Sequence, residues 1–436
     1  MKKSTNKAAD LNVDTRLFFV TIIFTFFCIY GLSFQIGDLN IRLEKIFTVV
    51  CFFLILLLVI NNAKFYFVKN SFYLVAWLII ALLSSTLSSN PIPSLRSWLD
   101  ISLSIVIFFF AQYFKLDKIL FARVNHTLWI GLILGGGGVF VAALWLSGLI
   151  DATSPVYYFI SEDVYSDYFR IQMTLLEPNI YGAVMMVFSL ISIAETRSGK
   201  LISYLFCILS LSGLLLSFSR GPFLGFAVGI ALYLHLTRSK RMFYLSIFLG
   251  LAALIIVFIM SYVSSLTGDG ESVIVRLSSL YTRIVTIEKA MVDVFESPII
   301  GSGIYSFNFL HPEMLDLVGG SAPWIPMLPL AILHDTGLVG FFLFFYFIFK
   351  ICHRSYTTII QKRNIFLASL PFHRMIAWLS AGVAILVSST FSTAHSMAFF
   401  WLVLAIISII PHSLHKLKIS GDNYMDSTVR SNRMNA

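Results

Sequence analysis

The sequence predicts an all-α, polytopic integral membrane protein with about twelve transmembrane helices and a long loop on the outer face of the membrane. Hydrophobic residues make up 58% of the 436 positions, only 12% are charged, and the mean hydropathy is +0.86. A soluble chain would carry about a quarter charged residues. The apolar runs also recur at lengths of about 20 residues, which is what a helix needs to cross a bilayer.

Twelve apolar runs define the predicted spans and, with them, the organisation of the chain. The spans are residues 17–34, 46–62, 72–88, 98–114, 127–150, 178–195, 201–218, 221–237, 242–264, 338–352, 375–392 and 395–412. The predicted segments are an N-terminus (1–16), transmembrane helices 1–9 (17–264), a long outer loop (265–333), transmembrane helices 10–12 (334–412) and a tail (413–436). We read the first span as retained, because no small-residue cleavage site follows it.

The distribution of basic residues predicts the orientation. With twelve spans, 23 of the 31 Lys and Arg fall on one face and eight on the other. Because short cytoplasmic segments are enriched in Lys and Arg, both termini are expected in the cytoplasm. The net charge of +9 does not indicate a nucleic-acid partner, since the basic residues are scattered over short loops and not gathered in one stripe. Membrane lipids are the expected surroundings.

The long outer loop shows helical periodicity. From Val273 to Phe295 apolar residues recur at helical spacing, and Ser297-Pro298 ends the pattern. This predicts an amphipathic helix on the outer surface. A glycine-rich turn (301–303) should follow, and a second short helix should re-enter the membrane around residues 325–334. The other long outer loop, residues 151–177, is acidic and aromatic.

Three arginines at the outer face are candidates for binding an anion. Arg220 lies between two apolar runs, where an unpaired charge is costly and therefore indicates function. Arg276 and Arg283 lie seven residues apart, so they share one face of the predicted outer helix. Guanidinium groups suit phosphate because they form two parallel hydrogen bonds with it. The alternative is that these side chains, Arg276 above all, are solvated or anchor the helix at lipid headgroups.

Acid–base candidates lie on the same face. Glu177 and Asn179 flank the proline that starts the sixth span; Glu177 is either a general base or part of an ordinary helix start. His311 and His334 lie on or near the long loop, and either is a second candidate base or a satisfied polar residue. Asp335 is expected to cap the next span.

Several chemistries have no motif in this chain. The sequence contains no P-loop, no glycine-rich dinucleotide fingerprint, no metal-spaced His/Glu pair and no nucleophile elbow. The four cysteines are dispersed in or beside apolar runs, which predicts neither a disulfide framework nor a metal site. We therefore predict no metal and no cofactor. A reaction would need an already activated substrate, such as a lipid diphosphate.

Four motifs, in order, resemble the O-antigen ligase and O-antigen polymerase superfamily of bacterial envelope enzymes. The resemblance is close over about residues 170–350 and looser before them. The motifs are Glu177-Pro178-Asn179, Ser219-Arg220-Gly221, Arg283 followed by Pro298-Ile299-Ile300-Gly301-Ser302-Gly303, and His334-Asp335-Thr336-Gly337-Leu338-Val339-Gly340. No single motif is decisive, but four in this order and on the predicted outer face are specific.

The resemblance implies transfer of a glycan from a polyprenyl (undecaprenyl) diphosphate donor, without metal, at the outer face of the bacterial inner membrane. The acceptor is lipid A-core in the ligases and another lipid-linked repeat unit in the polymerases. Arg220 and Arg283 would hold the diphosphate. One departure is that the family's His-Asn pair is replaced here by Pro326 and Met327. His311 or His334 would have to replace that histidine, or the chain is a polymerase or a divergent ligase that works without it.

A second class of function fits some of the same features. A flippase or transporter for lipid-linked oligosaccharides would also have many spans and scattered arginines. Transporters, however, place polar sites near mid-membrane and are often built from two related halves. This sequence has its polar residues in two outer loops and shows no internal repeat. The glycosyltransferase reading is therefore favoured.

Overall fold

The structure, a computed structural model, describes residues 33–36, 39–60, 70–113, 125–149, 159–162, 169–175, 177–238, 270–315, 325–390, 392 and 396–414. Over these ranges the chain is mainly α-helical. The helices are α1 (Leu43–Ile60), α2 (Ser71–Leu87), α3 (Pro91–Tyr113), α4 (Asn125–Leu146), α5 (Pro178–Glu195), α6 (Leu201–Leu216), α7 (Arg220–Leu236), α8 (Gly270–Glu296), α9 (Phe307–Leu310), α10 (Leu328–Phe366), α11 (Leu370–Ser389) and α12 (Ala398–Leu414).

Two short antiparallel hairpins accompany the helices. The first pairs β1 (Ser33–Ile36) with β2 (Leu39–Arg42), and the second pairs β3 (Ile160–Glu162) with β4 (Phe169–Ile171). Three single 3₁₀ turns lie at Met173–Leu175, Thr196–Ser198 and Pro312–Leu315. The sequence reading missed both hairpins, because strands of three or four residues leave too little periodicity to recognise.

Ten of the twelve predicted spans coincide with helices in the described part of the chain. The predicted spans 17–34 and 242–264 lie outside it, except that Ser33 and Phe34 belong to strand β1 and not to a helix. The last-but-two span was predicted too short. It ends at residue 352 in the sequence reading, whereas α10 continues to Phe366 and carries the basic residues that were assigned to a loop.

Five helices in the described ranges are long and apolar enough to cross a membrane by length and composition: Pro91–Gln112, Leu128–Leu146, Pro178–Ser198, Leu328–Phe366 and Leu370–Ser389. Four more apolar helices are shorter, namely α2, α6, α7 and α12. These findings support an all-α membrane protein. The total of twelve spans and the outer position of the long loop remain predictions.

Helix α5 lies at the centre of the bundle, with nearly every residue from Pro178 to Glu195 buried. It packs against α6, α7 and α11, and α7 packs closely along α11. Glycines permit this close approach, since a Cβ on Gly225 would lie 2.5 Å from the carbonyl oxygen of Ala384. The core therefore holds the start of α5, the end of α6 and the start of α7 in fixed relation.

One basic residue forms a buried ion pair. Arg374 is only 6% exposed, and its guanidinium binds the carboxylate of Glu195 through two nitrogens, Nε and Nη2. The pair joins α11 to the end of α5. A buried arginine requires such a partner, and the two residues lie too far apart in sequence for their pairing to be predicted.

Helix α8 runs from Gly270 to Glu296, where the sequence predicted a helix from Val273 to Phe295. Its position on the outer face stays a prediction. Three of its apolar side chains, Tyr281, Ile284 and Phe295, are exposed. The face buried against the protein carries Thr286, Ala290, Asp293 and Val294. Exposed apolar side chains on one side suit a helix that lies on a lipid surface.

Candidate functional site

The Ser-Arg-Gly motif forms a tight turn between two packed helices. Helix α6 ends at Leu216, Phe218 adopts a left-handed backbone with φ of +46°, and Ser219 precedes α7 in an extended conformation. Arg220 is the first residue of α7, and its side chain is exposed. The turn therefore presents the guanidinium at the end of the bundle and not within it.

The Glu-Pro-Asn motif contacts this turn directly. Pro178 begins α5, an ordinary place for proline because the first helical N–H has no partner within the helix. The Oδ1 atom of Asn179 accepts a hydrogen bond of 2.6 Å from the Ser219 hydroxyl and one of 3.1 Å from Nη2 of Arg170 on strand β4. Two motifs 40 residues apart in sequence thus form one polar cluster.

Arg283 of helix α8 lies near Arg220. Partial burial, and after it the positive charge of Arg220, lower the pKa of the Arg283 guanidinium. Two neighbouring guanidiniums form a favourable place for a polyvalent anion. The sequence named Arg220 and Arg283 as candidates for one anion site, and their binding of a diphosphate stays a prediction. Arg276 lies two turns earlier on α8, but its side chain is outside the described residues, so its role remains a prediction.

Glu177 also lies at this end of the bundle, immediately before α5, and is exposed. Although the residue as a whole is exposed, neighbouring protein partly shields its carboxyl from water. This desolvation raises the pKa of Glu177, against the opposing charges of Arg42 and Arg170.

The second cluster gathers two histidines around one carboxylate. Oδ2 of Asp293 lies 2.8 Å from Nε2 of His311 and 3.0 Å from Nε2 of His334. Nδ1 of His334 lies 2.9 Å from Oδ1 of Asp335. His334 and Asp335 are buried, whereas His311 keeps 15% of its side chain exposed. The sequence analysis named both histidines and Asp335 but missed Asp293. The sequence showed only that Asp293 is an acidic residue one helical turn after Ala290.

The hydrogen bonds of this cluster restrict what its histidines do. A neutral imidazole donates through only one ring nitrogen, and both nitrogens of His334 face carboxylate oxygens. Since each nitrogen faces a carboxylate oxygen, neither is free to accept a proton from a substrate. Burial opposes the ionisation of Asp293, but hydrogen bonds and charge from the two histidines hold its pKa below the usual range. His334 therefore suits a positioning role.

Glu313 and Lys289 continue the cluster to the protein surface. Lys289 donates a hydrogen bond of 2.6 Å to Oε1 of Glu313, the same oxygen that lies 3.2 Å from Nδ1 of His311. The hydrogen bond from Lys289 brings the pKa of Glu313 down to about 2. This pair is exposed, so water and salt screen much of the attraction. It tethers the segment after α9 to helix α8.

The Pro-Ile-Ile-Gly-Ser-Gly motif (298–303) forms backbone hydrogen bonds with helix α10 at the point where that helix is interrupted. Gly337 interrupts the helix with φ of +63° and ψ of −170°, which leaves carbonyls before it and N–H groups after it without helical partners. The loop supplies those partners at four positions. The bonds run from Ser302 N to His334 O (2.9 Å), Gly303 N to Asp335 O (3.1 Å), Leu338 N to Pro298 O (2.8 Å) and Val339 N to Ile299 O (3.3 Å).

This arrangement explains why both segments need glycine. A Cβ on Gly301 would lie 2.5 Å from the Gly337 nitrogen, and a Cβ on Gly337 would lie 2.3 Å from the Ile299 carbonyl oxygen. We had expected Asp335 to cap the following helix, but it does not. Its Oδ2 accepts the Tyr305 N–H at 3.2 Å, because the loop and not the helix supplies the nearest unpaired donor.

Helix α8 connects the two clusters. Arg283 and Asp293 are ten residues apart, so they are separated by about 15 Å along the helix axis. The arginine pair and the histidine cluster therefore lie about three turns apart along one helix. Among the residues that the structure describes, no group of three or more His, Cys, Asp or Glu is arranged to hold a metal ion.

Comparison with known proteins agrees with the motif-based resemblance. Residues 205–345 match the family model described as O-antigen ligase. This region includes Arg220, Arg283, the loop at Gly301–Gly303 and the break at Gly337. No individual curated protein matches the sequence significantly. The match confirms the resemblance of this chain to the O-antigen ligase and polymerase superfamily, with the O-antigen ligase domain at residues 205–345.

Proposed function

We propose that this protein transfers a glycan from a polyprenyl diphosphate donor to an acceptor hydroxyl at the outer face of the bacterial plasma (inner) membrane, with no metal ion. The observation that carries the proposal is the proximity of Arg220 and Arg283. These two charges are 63 positions apart in a chain with few charges, and both belong to the region that matches the O-antigen ligase family.

The arginine pair accounts for the donor and for the leaving group. Bringing two like charges together is unfavourable by itself, and a diphosphate between them would reverse the sign of the interaction. As the bond between the sugar carbon and the diphosphate oxygen breaks, the electron pair stays on the diphosphate. Guanidiniums already placed there stabilise the added charge in the transition state.

The acceptor hydroxyl attacks the sugar carbon and must lose its proton. We assign this proton to Glu177, because a raised pKa brings a carboxylate closer to the basicity that is useful near neutral pH. Glu177 is two residues from Asn179, which is hydrogen-bonded to the serine next to Arg220. His311, which keeps an exposed edge, is the second choice, and Asp335 and His334 are supporting residues.

The acceptor is lipid A-core in a ligase and another lipid-linked repeat in a polymerase. We favour the ligase type, because the matched family model is that of O-antigen ligase, and keep the polymerase as the alternative. In either case both termini lie in the cytoplasm. A reporter that is active only in the cytoplasm should give signal when fused after Arg241 and none after Gly268. The reverse pattern would place the arginine pair on the wrong side of the membrane for this chemistry.

Substitution of the arginine pair tests the proposal. Arg220→Ala and Arg283→Ala should each abolish transfer to the acceptor while the protein still accumulates in the membrane. Arg→Lys should restore little activity, because an ammonium group cannot form the two parallel hydrogen bonds of a guanidinium. Arg96→Ala, at an exposed arginine of α3, is the matched control and should leave transfer unchanged. Full activity in Arg220→Lys would exclude the diphosphate-binding role.

A further inference from the structure

The turn that precedes Arg220 contains a strained residue. Phe218 has φ of +46°, a conformation that is unfavourable for a residue with a Cβ, and its side chain is 54% exposed. Packing of the phenyl ring therefore does little to hold this conformation. Strained backbone persists only where the surroundings impose it, and such positions concentrate at functional sites.

Hydrogen bonds hold the residues on both sides of Phe218. Nε of Arg170 donates to the carbonyl oxygen of Ser217 at 3.2 Å, while its Nη2 donates to Oδ1 of Asn179 at 3.1 Å. The same Oδ1 atom accepts the Ser219 hydroxyl at 2.6 Å. One guanidinium thus binds the residue before Phe218 directly and the residue after it through Asn179.

Close packing leaves this arrangement little freedom. A Cβ on Gly182 of α5 would lie 2.6 Å from the Ser217 hydroxyl oxygen, so the turn rests directly on the central helix. Arg170 lies on strand β4, where it pairs with Ser161 of strand β3. The β3–β4 hairpin therefore places the Arg170 guanidinium beside the turn.

We propose that Arg170 is a positioning residue that, together with Asn179, holds the Phe218 turn in its left-handed conformation and so directs Arg220 at the donor. The effect on the donor rests on the function proposed above, whereas the effect on the turn does not. Arg220 is the first residue of α7, so the direction of its side chain follows from the turn before it.

Hydrogen–deuterium exchange of the full-length protein in detergent micelles tests the structural part. Arg170→Ala should speed exchange of the peptide covering residues 215–221 by about tenfold or more, since local opening is governed by the contacts that hold a segment. Asn179→Ala should do the same, and the double variant should add little, because both side chains act in one unit. Arg170→Lys should behave as Arg170→Ala, since one ammonium group does not span both acceptors. Arg96→Ala should leave this peptide unchanged.

Transfer kinetics test the consequence for the donor. Arg170→Ala should raise the KM for a polyprenyl diphosphate-linked glycan by about tenfold and lower kcat as well, because a misdirected Arg220 both binds the donor and stabilises the leaving diphosphate less well. Unchanged exchange in both Arg170 variants would refute the role of Arg170 in holding the Phe218 turn, whatever the activity. Faster exchange with an unaltered donor KM would overturn the link to Arg220. By contrast, full transfer in Arg220→Ala together with faster exchange in Arg170→Ala would refute the proposed function and the donor effect. It would still support the role of Arg170 in holding the Phe218 turn.

Discussion

The break in helix α10 allows a sharp test of how the family's last two motifs work together. Gly337→Ala adds one methyl group where the backbone has φ of +63° and ψ of −170°, a region that is essentially restricted to glycine. The new Cβ would lie 2.3 Å from the Ile299 carbonyl oxygen and 2.6 Å from the Ile300 nitrogen. These are backbone atoms, so they cannot move aside as a flexible side chain would.

The expected loss of stability combines strain with lost hydrogen bonds. The forbidden backbone conformation costs about 1–3 kcal/mol. If the loop moves away, at least two of the four loop-to-helix hydrogen bonds are lost, each with a net value of about 0.5–1.5 kcal/mol. Together these terms predict a loss of about 2–6 kcal/mol. Gly199→Ala provides the matched control, because Gly199 has a similar φ of +68° but open space around its Cβ position.

Denaturant-induced unfolding of the purified variants in detergent micelles gives the comparison. Gly199→Ala should lose only the strain, about 1–2 kcal/mol for a left-handed residue with a Cβ. Gly337→Ala should lose clearly more, and its glycan transfer should fall because His334 and Asp335 directly precede the break. Equal losses in the two variants would refute the reasoning, since they would show that the loop does not depend on the close approach at Gly337.

Two further predictions concern ionisable groups. Glu177→Gln should reduce turnover by about 10²–10⁴-fold, as for loss of a general base, and leave donor binding largely intact. His311→Ala should have a smaller effect. Full activity in Glu177→Gln together with no activity in His311→Ala, in a reconstituted assay, would reverse that assignment. The folded-state pKa of Glu313 is about 2, below the unfolded value of about 4.3, so its contribution to stability is complete above about pH 4.3 and is lost as the pH falls towards 2. Lys289→Ala should therefore lower stability above about pH 4.3 and converge with the unsubstituted protein near pH 2 in acid-unfolding curves, whereas a constant offset at every pH would rule out this ion pair as the cause.

The motif order proved informative because it reflects a local requirement at each position. Pro178 starts a helix, Arg220 begins the next helix after a turn, and glycines occur where no Cβ fits. Each of these needs is met within a few residues, so a sequence shows it. The same holds for helix α8, whose two ends were predicted to within three residues.

Contacts between distant segments were harder to predict. Asp293 looked like one more charge on an amphipathic helix, yet it binds two histidines 18 and 41 positions away. Arg170 and Arg374 looked like ordinary loop charges, yet one holds the Phe218 turn and the other is buried against Glu195. A charged residue has the same local appearance in either situation, because burial and pairing depend on which elements pack beside it.

By itself, the sequence determined the membrane class, most helix positions in the described ranges and the resemblance to the O-antigen ligase and polymerase superfamily. These follow from composition, apolar run length and short motifs, all of which are local properties. Only the tertiary structure decided that Arg220 and Arg283 converge, that Asp293 joins His311 to His334, and that a loop supplies the hydrogen bonds missing at Gly337. The physical reason is that hydrogen bonds act over about 3 Å and screened charges over about 10 Å in space, and only the folding of the chain sets which residues come within those distances.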